Sequence, residues 1–173
     1  MKTLAEIKIG KSFKIGDTEF IKLDELDGKA VVITKECICD SFYGKNNDFS
    51  KSAILENLKT DFLPKIKNEI GKENIKEFEL DITSFDGLDT YGKIKTEIGL
   101  LTLDMYRRYV RLFDQYKLKN WWWLSTPDST PEHTNDKWLL CVAPSGYVND
   151  CNYYSNNYGV RPFLHFVSSI FVS

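Results

Sequence analysis

Four cysteines, two histidines and a short run of aspartates are the residues of this chain whose types could do chemistry. Cys37 and Cys39 stand two apart after a β-branched run, and an extended backbone turns both thiols to the same side. That would suit half a metal site or a redox pair. Structural zinc, however, takes four ligands, usually as cysteine pairs separated by two to four residues, and Cys141 and Cys151 do not complete such a set. Four cysteines in a chain of 173 residues do not make a disulfide framework either. Reduced thiols acting as small hydrophobes are therefore expected. His133 falls in the polar stretch Pro131 to Asp136, and His165 alternates with Leu164 and Phe166 on a terminal strand. No local signature of a nucleophilic cysteine surrounds either histidine or any cysteine. Asp81, Asp86 and Asp89 cluster near Asp86-Gly87 and Tyr91-Gly92. Calcium asks for six to eight oxygens, and the EF-hand spacing is missing, so a solvated turn is expected. The residues point to no catalytic group, no metal and no cofactor.

The elements that would position a site follow from periodicity. Phe13 to Ile15 and Thr18 to Leu23 alternate apolar and polar, a strand pattern. Asp27-Gly28 then leads into Ala30-Val31-Val32-Ile33, which predicts a hairpin. Ser50 is placed to cap a helix carrying Ile54, Leu55, Leu58 and Phe62. Pro64 marks its end, or the start of a second short helix carrying Ile66 and Ile70 to Gly71. Ile75, Phe78, Leu80 and Ile82 suggest a strand. Thr102 is a predicted N-cap for a helix through about Tyr116, with Leu103, Tyr106, Val110 and Phe113 inward and Arg107, Arg108 and Arg111 outward. Short strands close the chain. This order gives α+β with a mainly antiparallel sheet and two principal helices, in one domain over residues 1–173.

Composition bounds the partners. Net charge is −2, and arginine occurs only at 107, 108, 111 and 161, which argues against a nucleic-acid surface. No apolar run is long enough to span a membrane. The N-terminal residues Met1 to Glu6 have no apolar core of a signal peptide. A cytoplasmic or virion-associated setting is expected.

The polar aromatic stretch near the C-terminus carries the strongest signal of binding. From Tyr147 it reads Tyr-Val-Asn-Asp-Cys-Asn-Tyr-Tyr-Ser-Asn-Asn-Tyr-Gly. Tyrosine offers rigid amphipathic area at low entropic cost, and serine and asparagine adapt their hydrogen bonds, which is why paratopes favour them. The plainer reading is an Asn-rich turn. Every residue type in the tract can be reached from an AAC codon altered at its adenines. Lys, Glu, Gln, Met and Trp cannot, and none of them occurs from Ser145 to Val160. The predicted binding face comprises Tyr147, Asn149, Asn152, Tyr153, Tyr154, Asn156, Asn157 and Tyr158, with Trp121 and Trp123 at its edge. Trp122 and Trp138 are expected in the core as large apolar payloads. Trp122 should face opposite to Trp121 and Trp123 if the run is a strand.

Trp121-Trp122-Trp123-Leu124-Ser125-Thr126-Pro127 and Gly159-Val160-Arg161-Pro162-Phe163-Leu164 resemble two motifs of a bacterial and phage domain family with the C-type lectin fold. Those motifs are a Trp-Trp-Leu-Arg-Ser-Pro signature and a closing Gly-Val-Arg-Pro-Ala-Leu. The likeness spans about residues 11–167. It departs at Leu124-Ser125, which lacks the arginine, and at Thr126. The family includes the variable proteins of diversity-generating retroelements. The resemblance implies a C-type-lectin-like fold and a non-catalytic ligand-binding protein of phage, prophage or retroelement origin, whose partner is a protein or a surface glycan. Gly159 and Arg161 would hold the base of the loop, Arg161 through its fork of donors on backbone carbonyls. Pro162 fits a strand start or an edge. Two alternatives stay open. One is a cytosolic phage effector that binds and inhibits a host defence protein, with its face elsewhere, such as the arginine side of the second helix. The other is an oxidase-like enzyme of the formylglycine-generating fold class, for whose chemistry no motif is present.

Overall fold

The computed structural model describes residues 1–154 and 157–173. The chain opens with β1 (Lys2–Thr3), β2 (Ser12–Ile15), β3 (Thr18–Leu26), β4 (Lys29–Thr34) and β5 (Cys39–Ser41). A helical stretch follows, made of α1 (Ala53–Asn57), a π turn (Leu58–Phe62) and α2 (Leu63–Ile70). Next come β6 (Ile75–Lys76), β7 (Phe78–Asp81), β8 (Lys93–Thr96), β9 (Ile98–Leu100) and α3 (Leu103–Phe113). The last third is β10 (Trp122–Pro127), β11 (Trp138–Val142), β12 (Val148–Asn152), β13 (Tyr158–Val160), β14 (Pro162–Val167) and β15 (Phe171–Val172).

The architecture is mixed α+β and mainly antiparallel, with one main helix and one sheet curled into a half-barrel. One sheet has the order β2-β3-β4-β14-β6, with β9 also paired to β14. Its β3–β4 hairpin turns at Asp27 and Gly28, whose φ values of 49° and 71° are both positive. That is the turn Asp-Gly is suited to, because its twist matches that of the flanking strands. The second sheet has the order β12-β11-β10-β13-β5, antiparallel except where β13 runs parallel to β10.

Of the places where the chain passes between these two sheets, two lie side by side. Residues 35–38 carry it from β4 to β5, and Arg161 alone carries it from β13 to β14. Ile38 N donates to Val160 O at 2.9 Å, joining the two crossings.

The second sheet is covered on both faces at β10, where every residue is buried. Trp122 packs on Tyr106 and Phe113 of α3, each at 5.7 Å between ring centroids. Trp123 points the other way onto Tyr43, at 5.4 Å. The alternation expected of the tryptophan run is present, but neither side of it is open.

α3 begins where Thr102 predicts it, with Met105 N donating to the Thr102 hydroxyl at 3.2 Å. Its buried residues are Tyr106, Tyr109 and Phe113. Leu103 and Val110, expected inward, are half-buried, and Tyr109 takes the inner position because its hydroxyl reaches Asp24 at 2.9 Å. The expectation of two principal helices is corrected, because the first is broken. Pro64 lacks an N–H and crowds the preceding turn, so it sits in the first turn of α2 behind the π turn. Ser50 does not cap it. Ser52 caps α1 by accepting from Leu55 N at 3.0 Å, and Asp48 caps the short 3-10 turn before it. Among the described residues no helix is long and apolar enough to cross a membrane.

Candidate binding face

The described residues of the Asn/Tyr tract include β12, a turn at Tyr153 and Tyr154, and β13. β12 pairs with β11 in an unbroken register from Trp138↔Asn152 to Val142↔Val148. Ala143 N donates to Tyr147 O at 2.8 Å, and Tyr153 N donates to Lys137 O at 3.1 Å. These two bonds fix the phase of the ladder, since antiparallel pairs alternate between bonded and non-bonded. Asn149 and Cys151 therefore turn their backbone groups to β11, and Val148 and Asp150 turn theirs outward. β12 is an edge of its sheet.

A covalent tie stiffens this hairpin. Cys141 and Cys151, expected as reduced thiols, are joined by a disulfide. They lie diagonally across the β11–β12 register on one face, with Cα atoms 6.4 Å apart. A separation of ten residues along the chain carries no cysteine signature. The strand register alone brings the two together.

The exposed residues of the tract lie toward the ends of β12. Tyr147, at 67% exposure, precedes it, and Tyr154, at 61%, follows it. Trp138 lies opposite Asn152. It was expected in the core and is 40% exposed, because it is the first residue of β11 and its ring lies beyond the cover that buries Leu139 and Leu140. Asn157 is exposed as well, whereas Asn149 and Tyr153 are half-buried. Asn152 is buried, and its side chain accepts from Tyr154 N at 3.3 Å to close the turn. Asn156 lies outside the described residues.

Trp123 is corrected from an edge of the face to a core residue. It is fully buried, and its indole N–H donates to Ser41 O at 2.8 Å. Tyr158 packs its ring 4.7 Å from Trp123 and stacks on half-buried Trp121 at 5.7 Å. Tyr158 and Trp121 thus serve the base of the loop more than its surface.

Gly159 and Arg161 make up the rest of that base. A Cβ at Gly159 would stand 2.3 Å from Cys37 Sγ and 3.2 Å from Trp121 O, so only glycine fits where β13 slides beneath Cys37. Arg161 is 1% exposed. Its Nε donates to Thr34 O at 2.9 Å and its Nη2 to Lys35 O at 2.8 Å. The guanidinium lies about 5 Å from the rings of Phe113 and Trp122 (5.0 and 5.1 Å). Burial lowers its pKa to about 10, which leaves it charged at neutral pH.

The chemically versatile residues assemble differently. Cys37 and Cys39 are free. Burial pushes the Cys37 thiol up to about 11 and raises that of Cys39 as well, which is the opposite of an activated nucleophile. Asp86 accepts hydrogen bonds from Ser129 at 2.6 Å and from Ser84, and pairs with His133 Nδ1 at 2.8 Å. These bonds lower its carboxyl to about 2. Serine, histidine and aspartate meet here, but the serine hydroxyl bonds to the aspartate and not to the imidazole. The group that accepts its proton is a carboxylate whose pKa is held at about 2, a poor base, and the cluster latches two loops together. Among the described residues no group of three metal-ligating side chains occurs.

Asp150 and Asp128 belong to the site although no motif in the sequence marks them. Asp150 is exposed in the middle of the β12 edge. The pKa of half-buried Asp128 is raised by burial, then by the nearby charges of Asp150 and Asp86. Neither Asp128 nor Asp150 has an ion-pair partner among the described residues. Asp150 sits between Val148 and Asn152 in an alternating run, a signal the tract's asparagines and tyrosines obscured.

Comparison with protein-family models, with curated proteins and with solved structures gives no match for this chain.

Proposed function

We propose that the protein is a non-catalytic binder that presents Tyr147, Trp138 and Tyr154, with Asp150 between them, to a macromolecular partner. The observation that carries this reading is the display of large aromatics toward both ends of an edge strand that is itself held rigid. Aromatic side chains dominate binding energy where they stand on a preorganised support. The disulfide, the β11 ladder and the Arg161 base supply that support. The resemblance of the tryptophan run and the Gly-Val-Arg-Pro segment to the lectin-like phage and retroelement family favours a protein or surface glycan as partner, and a C-type-lectin-like fold as the scaffold.

The test pairs folding with binding. The variant Tyr147→Ser/Tyr154→Ser/Trp138→Ser should melt close to wild type, because exposed positions contribute little to folding. It should lose by about thirtyfold or more the partner that the wild-type protein captures from bacterial lysate or on a glycan array, as removal of aromatic anchors predicts. A variant that captures the same partner with unchanged affinity overturns the reading.

A further inference from the structure

We propose that this face holds its partner as an added β-strand on the open edge of β12, with a lysine or arginine of the partner facing Asp150. The inference rests on the binding face described above and names how that face is used.

The backbone comes first. The ladder phase turns the N–H and C=O of Val148 and Asp150 away from β11, and among the described residues no strand lies beyond β12 in its sheet. Outward groups of this kind are what an extended peptide pairs with when it joins a sheet. The opposite edge of the sheet is less suited. β5 is only three residues long, and the Trp123 indole already bonds its Ser41 carbonyl.

Length and flanks agree. From Tyr147 to Asn152 the strand runs about 17 Å at the usual rise per residue, a typical strand length. Tyr147 stands at one end, with Trp138 and Tyr154 at the other, where they can cover the ends of an added strand.

Charge then selects the occupant. Natural edges are often guarded by a charge that prevents sheets from joining, and Asp150 acts in this way against a second copy of the chain. An antiparallel pairing of two β12 strands about a two-fold axis at Asp150 would set the two carboxylates directly opposite each other, which is destabilising. Asp128 adds a second carboxylate nearby without an ion-pair partner among the described residues. A foreign extended segment with a basic side chain at that position removes the repulsion and satisfies the edge.

The experiment uses ¹⁵N-labelled full-length protein and three blocked pentapeptides. One is Val-Thr-Lys-Thr-Val, the second has Glu in place of Lys, and the third is the Lys peptide methylated on its backbone nitrogens. The Lys peptide should shift the amide signals of Val148 and Asp150 and slow their hydrogen exchange. It should bind about tenfold more tightly than the Glu peptide, the ratio expected when an attractive cross-strand pair replaces a repulsive one. The methylated peptide should not bind. Asp150→Lys should reverse the charge preference. Asp150→Pro deletes an outward N–H and no ladder bond, so it should melt like wild type yet bind the Lys peptide several-fold more weakly. Equal affinity for the Lys and Glu peptides, shifts that map elsewhere, absence of binding, or a wild-type dimer that buries β12 would each overturn strand addition. Should the captured partner be lost from the aromatic triple variant but kept by Asp150→Pro, the face stands and only this mode of using it fails.

Discussion

Arg161 is the one residue between β13 and β14, where the chain passes from one sheet to the other, and its two donated bonds fall on Thr34 O and Lys35 O, where β4 ends. Replacing it with alanine strands the buried Thr34 carbonyl and the part-buried Lys35 carbonyl and opens a cavity beside Phe113 and Trp122. Each unsatisfied group costs about 1–3 kcal/mol, so Arg161→Ala should lose roughly 3 kcal/mol or more in a denaturant melt. Arg161→Lys, which cannot span both carbonyls, should fall between. The tryptophans should divide in the same assay. Trp123→Ala empties a fully buried site and should cost about 3–5 kcal/mol. Trp138→Ala should cost less than about 1 kcal/mol, and a larger loss would mean that Trp138 is not on the surface. Tyr158 belongs with Trp123: its ring packs against two tryptophans, so a change to serine there lowers stability and cannot be used to isolate binding.

At the scale of elements, β14 carries a titration. His165 is flanked by the rings of Phe78 at 4.5 Å and Phe163 at 6.0 Å, on a strand paired with β4 and β6. Burial, and to a lesser degree the charge of Lys29, lowers its pKa from 6.5 to about 4. Between those values the unfolded chain binds the proton and the folded chain does not, so stability rises with pH through this window. The melting temperature should therefore fall as the pH is lowered from 6.5 toward 4, and His165→Phe should flatten that part of the profile. A His165→Phe profile parallel to wild type would place the titration elsewhere. Below pH 4 the Asp86 latch takes over. Its carboxyl is depressed from 3.8 to about 2, so the stability it contributes is present above 3.8 and is lost as pH falls toward 2.

Over the whole molecule the cysteines report how the parts are joined. Native protein should react with a thiol reagent at Cys39, which is exposed, and slowly at half-buried Cys37, whose thiol is held protonated. Unfolding without a reductant should raise the count to two, and only reduction should raise it to four. Four thiols in unreduced, unfolded protein would remove the tie between β11 and β12. The rigidity on which the binding face depends would then rest on hydrogen bonds alone.

Much of this was legible in the residue pattern. The β3–β4 hairpin could be read because Asp-Gly and the alternation around it act within a few residues. The same holds for α3 and its Thr102 cap, where side chain and backbone meet inside one turn. The arginine in Gly-Val-Arg-Pro could be assigned to backbone carbonyls from its donor geometry, though not to which ones. Whether Trp123 or Trp138 is covered depends on what packs over each strand end, and that cover comes from Tyr43 and Ser41, some eighty residues away. The pairing of Cys141 with Cys151 is set by the register between strands, which no spacing along the chain encodes. The outward phase of Asp150 likewise follows from two hydrogen bonds at the ends of a ladder. Local chemistry determined the elements and their ends. Only the tertiary structure decided which side chains those elements leave for a partner, because exposure is settled by neighbours distant in sequence.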